Sequence, residues 1–116
     1  MAISHQLIQA EPNKPGELAG EVFVLDPLDG HSDPLPIQTH VLDLAPSHAW
    51  GSESEEALQL AFDILCLAVG QKEAGRVYQD FAGEIITRKT DTWAMTIEYI
   101  RGWYAGRLGF DAPREP

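Results

Sequence analysis

The stretch from Ala57 to Val69 constrains this chain more than any other. Ala57, Leu60, Ala61, Ile64, Leu65 and Ala68 recur at the i, i+3, i+4, i+7 spacing of a helix, and Leu58, Phe62 and Leu67 carry the apolar surface around most of its circumference. A helix that is apolar on most sides has to be central, with other elements packed around it. Its ends are marked as well. Ser52 or Ser54 can accept from the open amides of a first turn, Glu53, Glu55 and Glu56 suit the positive end of the dipole, and Gly70 suits the position just past the last turn.

Two further helices follow. Over Glu73–Lys89 the residues Ala74, Val77, Tyr78, Phe81 and Ile85 form one inward stripe, with Arg88 and Lys89 near the negative end of the dipole. Thr90-Asp91-Thr92 breaks the pattern, Trp93-Ala94-Met95 reads as a short extended segment, and Thr96 can cap a third helix. In that helix Ile97, Ile100, Tyr104 and Leu108 make one stripe, Tyr99 and Trp103 a neighbouring one, and Gly109 closes it. Ahead of the central helix the pattern is of strands: Ile3–Ala10, then Glu21–Leu25 with its β-branched and aromatic run, then Ile37–Leu44. Glu11–Gly16 reads as a turn and Asp26–Pro36, with three prolines and a glycine, as a loop. Strands grouped first and helices second imply an α+β fold, an N-terminal antiparallel sheet of about three strands followed by three helices packed on one face. A chain of 116 residues, 44% apolar, accommodates this as a single domain over 1–110 with a loose tail over 111–116.

Charge is distributed unevenly. Residues 1–63 hold eleven acids and one base, Lys14, which accounts for the whole net charge of −10, while residues 64–116 hold seven of each sign. Such a field favours cationic partners and repels nucleic acid, although net charge also serves solubility. Met1-Ala2-Ile3-Ser4-His5 lacks the basic-then-apolar pattern of a secretory leader. The longest apolar run, Ile64 to Val69, falls short of the roughly 20 residues a membrane span needs. Cys66 is the only cysteine, so no intrachain disulfide forms, and a cytoplasmic location is the expectation.

No catalytic constellation emerges. His31-Ser32-Asp33, and His40 with Asp43, lie near Asp26 and Asp29, but their spacing matches no metal signature and their Asp/Pro/Gly-rich surroundings suit turn chemistry. Cys66 sits in the most apolar helix, where a thiol is inert. Ser47, Ser52 and Ser54 near His48 lack the strand-to-helix elbow of a hydrolase nucleophile, and no glycine-rich loop stands between a strand and a helix to cradle phosphate. Arg101 and Arg107, with Tyr99, Trp103 and Tyr104, could meet a phosphorylated ligand, but matched acids leave no basic patch. The expectation is therefore a protein without catalytic residues, metal or cofactor.

The helical half resembles an uncharacterised family of small bacterial and phage proteins, catalogued as a domain of unknown function. The residues that carry the resemblance are Trp50-Gly51, Ala57-Leu58-x-Leu60-Ala61 with Ile64-Leu65, Val77-Tyr78-Gln79-x-Phe81 with Ile85-Ile86, and Trp93-x-Met95-Thr96 with Ile100-Arg101-x-Trp103. It covers about residues 41–104 and departs where this chain has Ser-Glu-Ser-Glu-Glu in place of a glycine-rich cap. The resemblance implies no activity; it implies an origin among phages and their hosts.

Together these features point to a non-catalytic inhibitor of phage or mobile-element origin, an anti-CRISPR-like protein binding a host protein with a basic surface. A CRISPR effector or its nuclease-helicase is the sharpest target, because such proteins carry cationic channels built for phosphate. The candidate partner-binding residues are Asp26, Asp29, Asp33, Glu53, Glu55 and Glu56. One alternative is a homodimeric accessory protein that self-associates through Trp93, Tyr99 and Trp103. Another is a small metal- or ligand-binding domain using His31, His40 and His48 with nearby carboxylates.

Overall fold

The computed structural model describes residues 6–90 and 92–109. The expected strand start at Ile3 and the expected tail fall outside them. The elements run β1 (Leu7–Pro12), β2 (Ala19–Asp26), β3 (His31–Pro34), β4 (His48–Ala49), α1 (Glu55–Val69), α2 (Gln71–Glu84), a 3₁₀ turn (Ile86–Arg88), β5 (Trp93–Thr96) and α3 (Ile97–Gly109). The fold is α+β, as the grouping of strands and helices implies. The sheet is larger than expected, with order β3-β2-β1-β5 and β4 also on β2.

All pairing is antiparallel. Residues directly opposite one another share a face, so the registers Ile8↔Val24, Ile8↔Met95, Ala10↔Val22 and Ala10↔Trp93 place these six side chains together. That face is buried against the helices in one cluster with Leu60, Ile64, Phe81, Ile97 and Ile100. The opposite face pairs Leu7 with Leu25, Gln9 with Phe23 and Glu11 with Glu21. The first four of these are half-buried and the two glutamates exposed. Gly20 opposes Pro12, and a Cβ there would stand 2.0 Å from the Glu11 carbonyl oxygen, so the hairpin requires glycine at this point.

Two expectations for the first third are corrected. The supposed loop contains β3, which pairs with β2 from Phe23↔Pro34 to Asp26↔His31, closing a hairpin over the turn 27–30. The supposed strand Ile37–Leu44 is irregular. Both changes have one cause. β3 and β4 lie on the same edge of β2 but in registers that converge at Glu21 and Val22, so residues 35–47 leave the edge as a loop with its ends close together. Pro36 and Pro46 supply no amide to continue either ladder. The loop's amides are taken by α1 instead: Asp63 Oδ1 accepts from Gln38 N at 2.9 Å, and Gln59 Oε1 accepts from Leu44 N at 2.9 Å and Ala45 N at 3.2 Å.

The helices follow their sequence signals closely. Ser54 is the cap of α1, its Oγ accepting from Ala57 N at 3.1 Å. Ala57, Leu60, Ala61, Phe62, Ile64, Leu65 and Ala68 are buried on all but a few square ångströms. Gly70, at φ 94°, ends α1 and opens α2 without a break. No basic residue of α1 lies in its last turn, and Arg101 of α3 fills the role, donating from Nε to Ala68 O at 2.8 Å. α2 ends at Glu84, earlier than expected, because Ile86 turns into the core through the 3₁₀ turn. Thr96 caps α3 by accepting from Tyr99 N at 2.9 Å. Among the described residues no helix is long and apolar enough to cross a membrane.

Candidate functional site

The carboxylates singled out in the sequence fall into two groups. In the β2–β3 hairpin, Asp26 Oδ1 accepts from Leu28 N at 3.0 Å, Asp29 Oδ1 from His31 N at 2.8 Å, and Asp33 Oδ2 bonds His31 Nε2 at 2.9 Å. Each stabilises the turn, yet Asp29 and Asp33 remain exposed and Asp26 half-exposed. Glu53 and Glu55 are exposed and Glu56 is half-buried at the start of α1. That start adjoins the other end of β2, through Trp50 N donating to Leu18 O at 2.8 Å. At about 3.3 Å per residue the length of β2, on the order of 20 Å, separates the two groups. The six carboxylates do not converge on one patch.

Ion pairing divides the molecule. Arg107 holds Asp80 at 2.6 Å and Glu84 at 2.8 Å, and Arg76 lies 3.8 Å from Glu73. All of these belong to the second half. Among the described residues no carboxylate of the first 63 is paired with a lysine or arginine. Glu11 and Glu21 even oppose each other directly across β1 and β2, a like-charge pair that costs stability.

One of the eleven N-terminal acids belongs elsewhere. Asp63 is 1% exposed and is the centre of a buried network. His48 Nε2 donates to its Oδ2 at 2.6 Å, while Gln59 Nε2 and Gln38 N donate to Oδ1. Three hydrogen-bond partners compensate the burial of its two oxygens. The signal was present in the sequence: Gln59 and Asp63 are a polar i, i+4 pair inside an otherwise apolar run. Of the other histidines, His31 is exposed beside Asp33 and His40 is exposed. The described residues contain no group of three or more His, Cys, Asp or Glu side chains placed to share a metal ion. Burial, and after it the Asp63 carboxylate, push the Cys66 thiol up to about 11.

The aromatic residues are dispersed. Trp93 is buried edge-on against Trp50, with ring centroids 5.7 Å apart. Trp103 packs edge-on against Phe81 at 4.9 Å and donates from Nε1 to Glu84. Tyr99, half exposed, is the only one of the three self-association candidates with a large open surface. Tyr104 donates to Glu73, whose carboxylate holds the phenol above its ordinary range. With Arg101 on Ala68 O and Arg107 on Asp80 and Glu84, the cations of α3 are spent on docking this helix to its neighbours.

Residues 15–106 match the model of a family of unknown function, DUF6166. The chain belongs to this family. No curated protein and no solved structure matches it. The DUF6166 span begins in the turn after β1 and reaches into α3, so it takes in α1, α2 and β5 but not the central strand β1. The Trp50-Gly51 pair inside the span is structural. Trp50 is fully buried, and Gly51, at φ 84°, donates to Ile86 O at 3.0 Å. A Cβ on Gly51 would come within 2.6 Å of Leu18 Cδ1. Membership in DUF6166 thus accounts for core and turn positions and carries no activity with it.

Proposed function

We propose that this DUF6166 protein is a non-catalytic binding protein that docks its acidic N-terminal half on the basic surface of a nucleic-acid-processing protein. In its sharpest form it is a phage- or mobile-element-borne inhibitor acting in the host cytoplasm on a CRISPR effector or its nuclease-helicase. The observation that supports this is the division of charge: Arg76, Arg101 and Arg107 of the second half are engaged by that half's own acids and a carbonyl, and among the described residues no carboxylate of the first half is paired with a lysine or arginine. Uncompensated carboxylates steer association toward lysine- and arginine-lined channels built for phosphate.

The helix-free face of the sheet is the docking surface. Its apolar centre, Leu7, Phe23 and Leu25, lies between the Glu11–Glu21 pair at one end and the hairpin carrying Asp29 at the other. An apolar centre bordered by charge is the anatomy of a transient interface. The test is capture of proteins from bacterial host lysate by the wild type and by the triple variant Glu11→Lys, Glu21→Lys and Asp29→Lys, with heparin as a competitor for phosphate channels. The expected result is a captured nucleic-acid-processing protein that heparin releases and the variant fails to retain. Capture that is equal for both forms and indifferent to heparin overturns the proposal. Protection of a plasmid from CRISPR interference on co-expression tests the sharper form.

A further inference from the structure

The two ends of the sheet differ in chemistry. The strand path β3-β2-β1-β5 leaves β3 at one end and β5 at the other. β3 reads His31-Ser32-Asp33-Pro34, and Asp33 shares its hairpin with Asp26 and Asp29. Charge, together with a proline that lacks an amide, discourages another strand from adding to that edge. β5 reads Trp93-Ala94-Met95-Thr96 and has neither charge nor proline.

The register fixes which backbone groups β5 presents. Ile97 N donates to Gln6 O at 3.0 Å, one step beyond the Leu7↔Thr96 pair. Bonded and non-bonded positions alternate along an antiparallel ladder. Ile97, Met95 and Trp93 therefore turn their backbone groups toward β1, while Thr96 and Ala94 turn theirs to the outer edge. Among the described residues no strand pairs with that edge. The side chains alternate in step: Trp93 and Met95 are buried, Ala94 and Thr96 exposed. Half-exposed Tyr99 stands at the end of the strand, its N donating to Thr96 Oγ1.

We propose that the outer edge of β5 pairs with the same edge of a second copy of this chain, antiparallel about a two-fold axis at Ala94. This register keeps like faces together, as a one-residue slip would not. The two Ala94 residues exchange both backbone hydrogen bonds, and their small side chains meet on the open face. Trp93 lies opposite Met95 of the second copy on the helix-covered face. A two-fold axis makes an uncharged edge complementary to itself.

Charge selects this edge for a second copy. Pairing through β3 would bring the hairpin carboxylates of both copies together. Pairing through β5 joins the charge-balanced halves and leaves the two β3 strands at opposite ends of one continuous sheet. Seven interstrand spacings of about 4.8 Å separate them by roughly 34 Å, several times the Debye length of about 8 Å at physiological salt. The acidic, helix-free faces stay open, so the dimer neither needs nor excludes the proposed partner.

Sedimentation of the full chain from about 2 to 200 µM, in about 150 mM NaCl, reads the association directly. The wild type is expected to show a reversible monomer–dimer equilibrium. Ala94→Lys and Ala94→Glu, at an exposed position, each set like charges face to face across the axis. Each is expected to weaken the dimer about fivefold without lowering the thermal midpoint of the monomer. An equimolar mixture of the two is expected to restore association as a heterodimer, a rescue that damage to either fold would not permit. A wild type that stays monomeric throughout overturns the proposal and leaves the edge to a strand of another protein. A dimer that both variants form as well as the wild type, or that the mixture fails to restore, overturns it too. The lysate capture is decided separately in every case.

Discussion

Asp63 shows how far one side chain can reach. It receives hydrogen bonds from the imidazole of His48, the amide of Gln59 and the backbone of Gln38, so removing it orphans three buried or half-buried donors at once. Asp63→Ala is expected to cost about 3 kcal/mol or more in urea unfolding, well above an ordinary surface truncation. Burial first, and the same carboxylate second, push the Cys66 thiol from its ordinary 9.0 up to about 11. A raised thiol pKa means that the folded state keeps a proton the unfolded chain would lose. The contribution to stability is therefore complete below about pH 9 and is lost as the pH rises through about 11. At pH 8 the native thiol is expected to react with iodoacetamide roughly 100-fold more slowly than the unfolded chain, the ratio of their thiolate fractions. Equal rates before and after denaturation would contradict this.

At the level of elements, the helices and the segment 35–47 contrast. The helices were legible because each carried its own signals: Ser54 and Thr96 as caps, Gly70 as a stop, and apolar stripes with helical spacing. Ile37–Leu44 alternates weakly enough to resemble a strand, but no strand is available to it. β2's edge is already occupied by β3 and β4, and the amides that would build a ladder are bonded to Gln59 and Asp63. Nothing local reports a partner 14 to 25 residues away. The candidate carboxylates were legible as exposed residues, but their separation along β2 was not, since it depends on which end of the sheet receives each loop. Because the loop hangs on one helix's side chains, Gln59→Ala is expected to raise amide exchange at Leu44 and Ala45 by one to two orders of magnitude. Amides within α1 are expected to stay protected, a difference that hydrogen exchange resolves residue by residue.

Across the whole molecule, a net charge of −10 with unpaired acids in one half predicts a fold under electrostatic tension. Raising NaCl from 10 to 500 mM is expected to increase the thermal midpoint. Glu11→Gln, which removes one member of the opposed pair, is expected to stabilise the protein by about 0.5 kcal/mol at low salt and by less at high salt. Calorimetry across the two conditions checks both. The acidic half is nonetheless no separable module, because β5, from the balanced half, is zipped to β1 from Leu7↔Thr96 to Ala10↔Trp93. This pairing sets an order on biosynthesis. β1 leaves the ribosome well ahead of β5, and the neighbour that covers its second edge is not made until Thr96 has been added. Throughout that interval a growing chain displays an unpaired strand edge, and truncations ending before β5 inherit it permanently. The hazard of mispairing therefore belongs to the nascent protein and vanishes in the finished one.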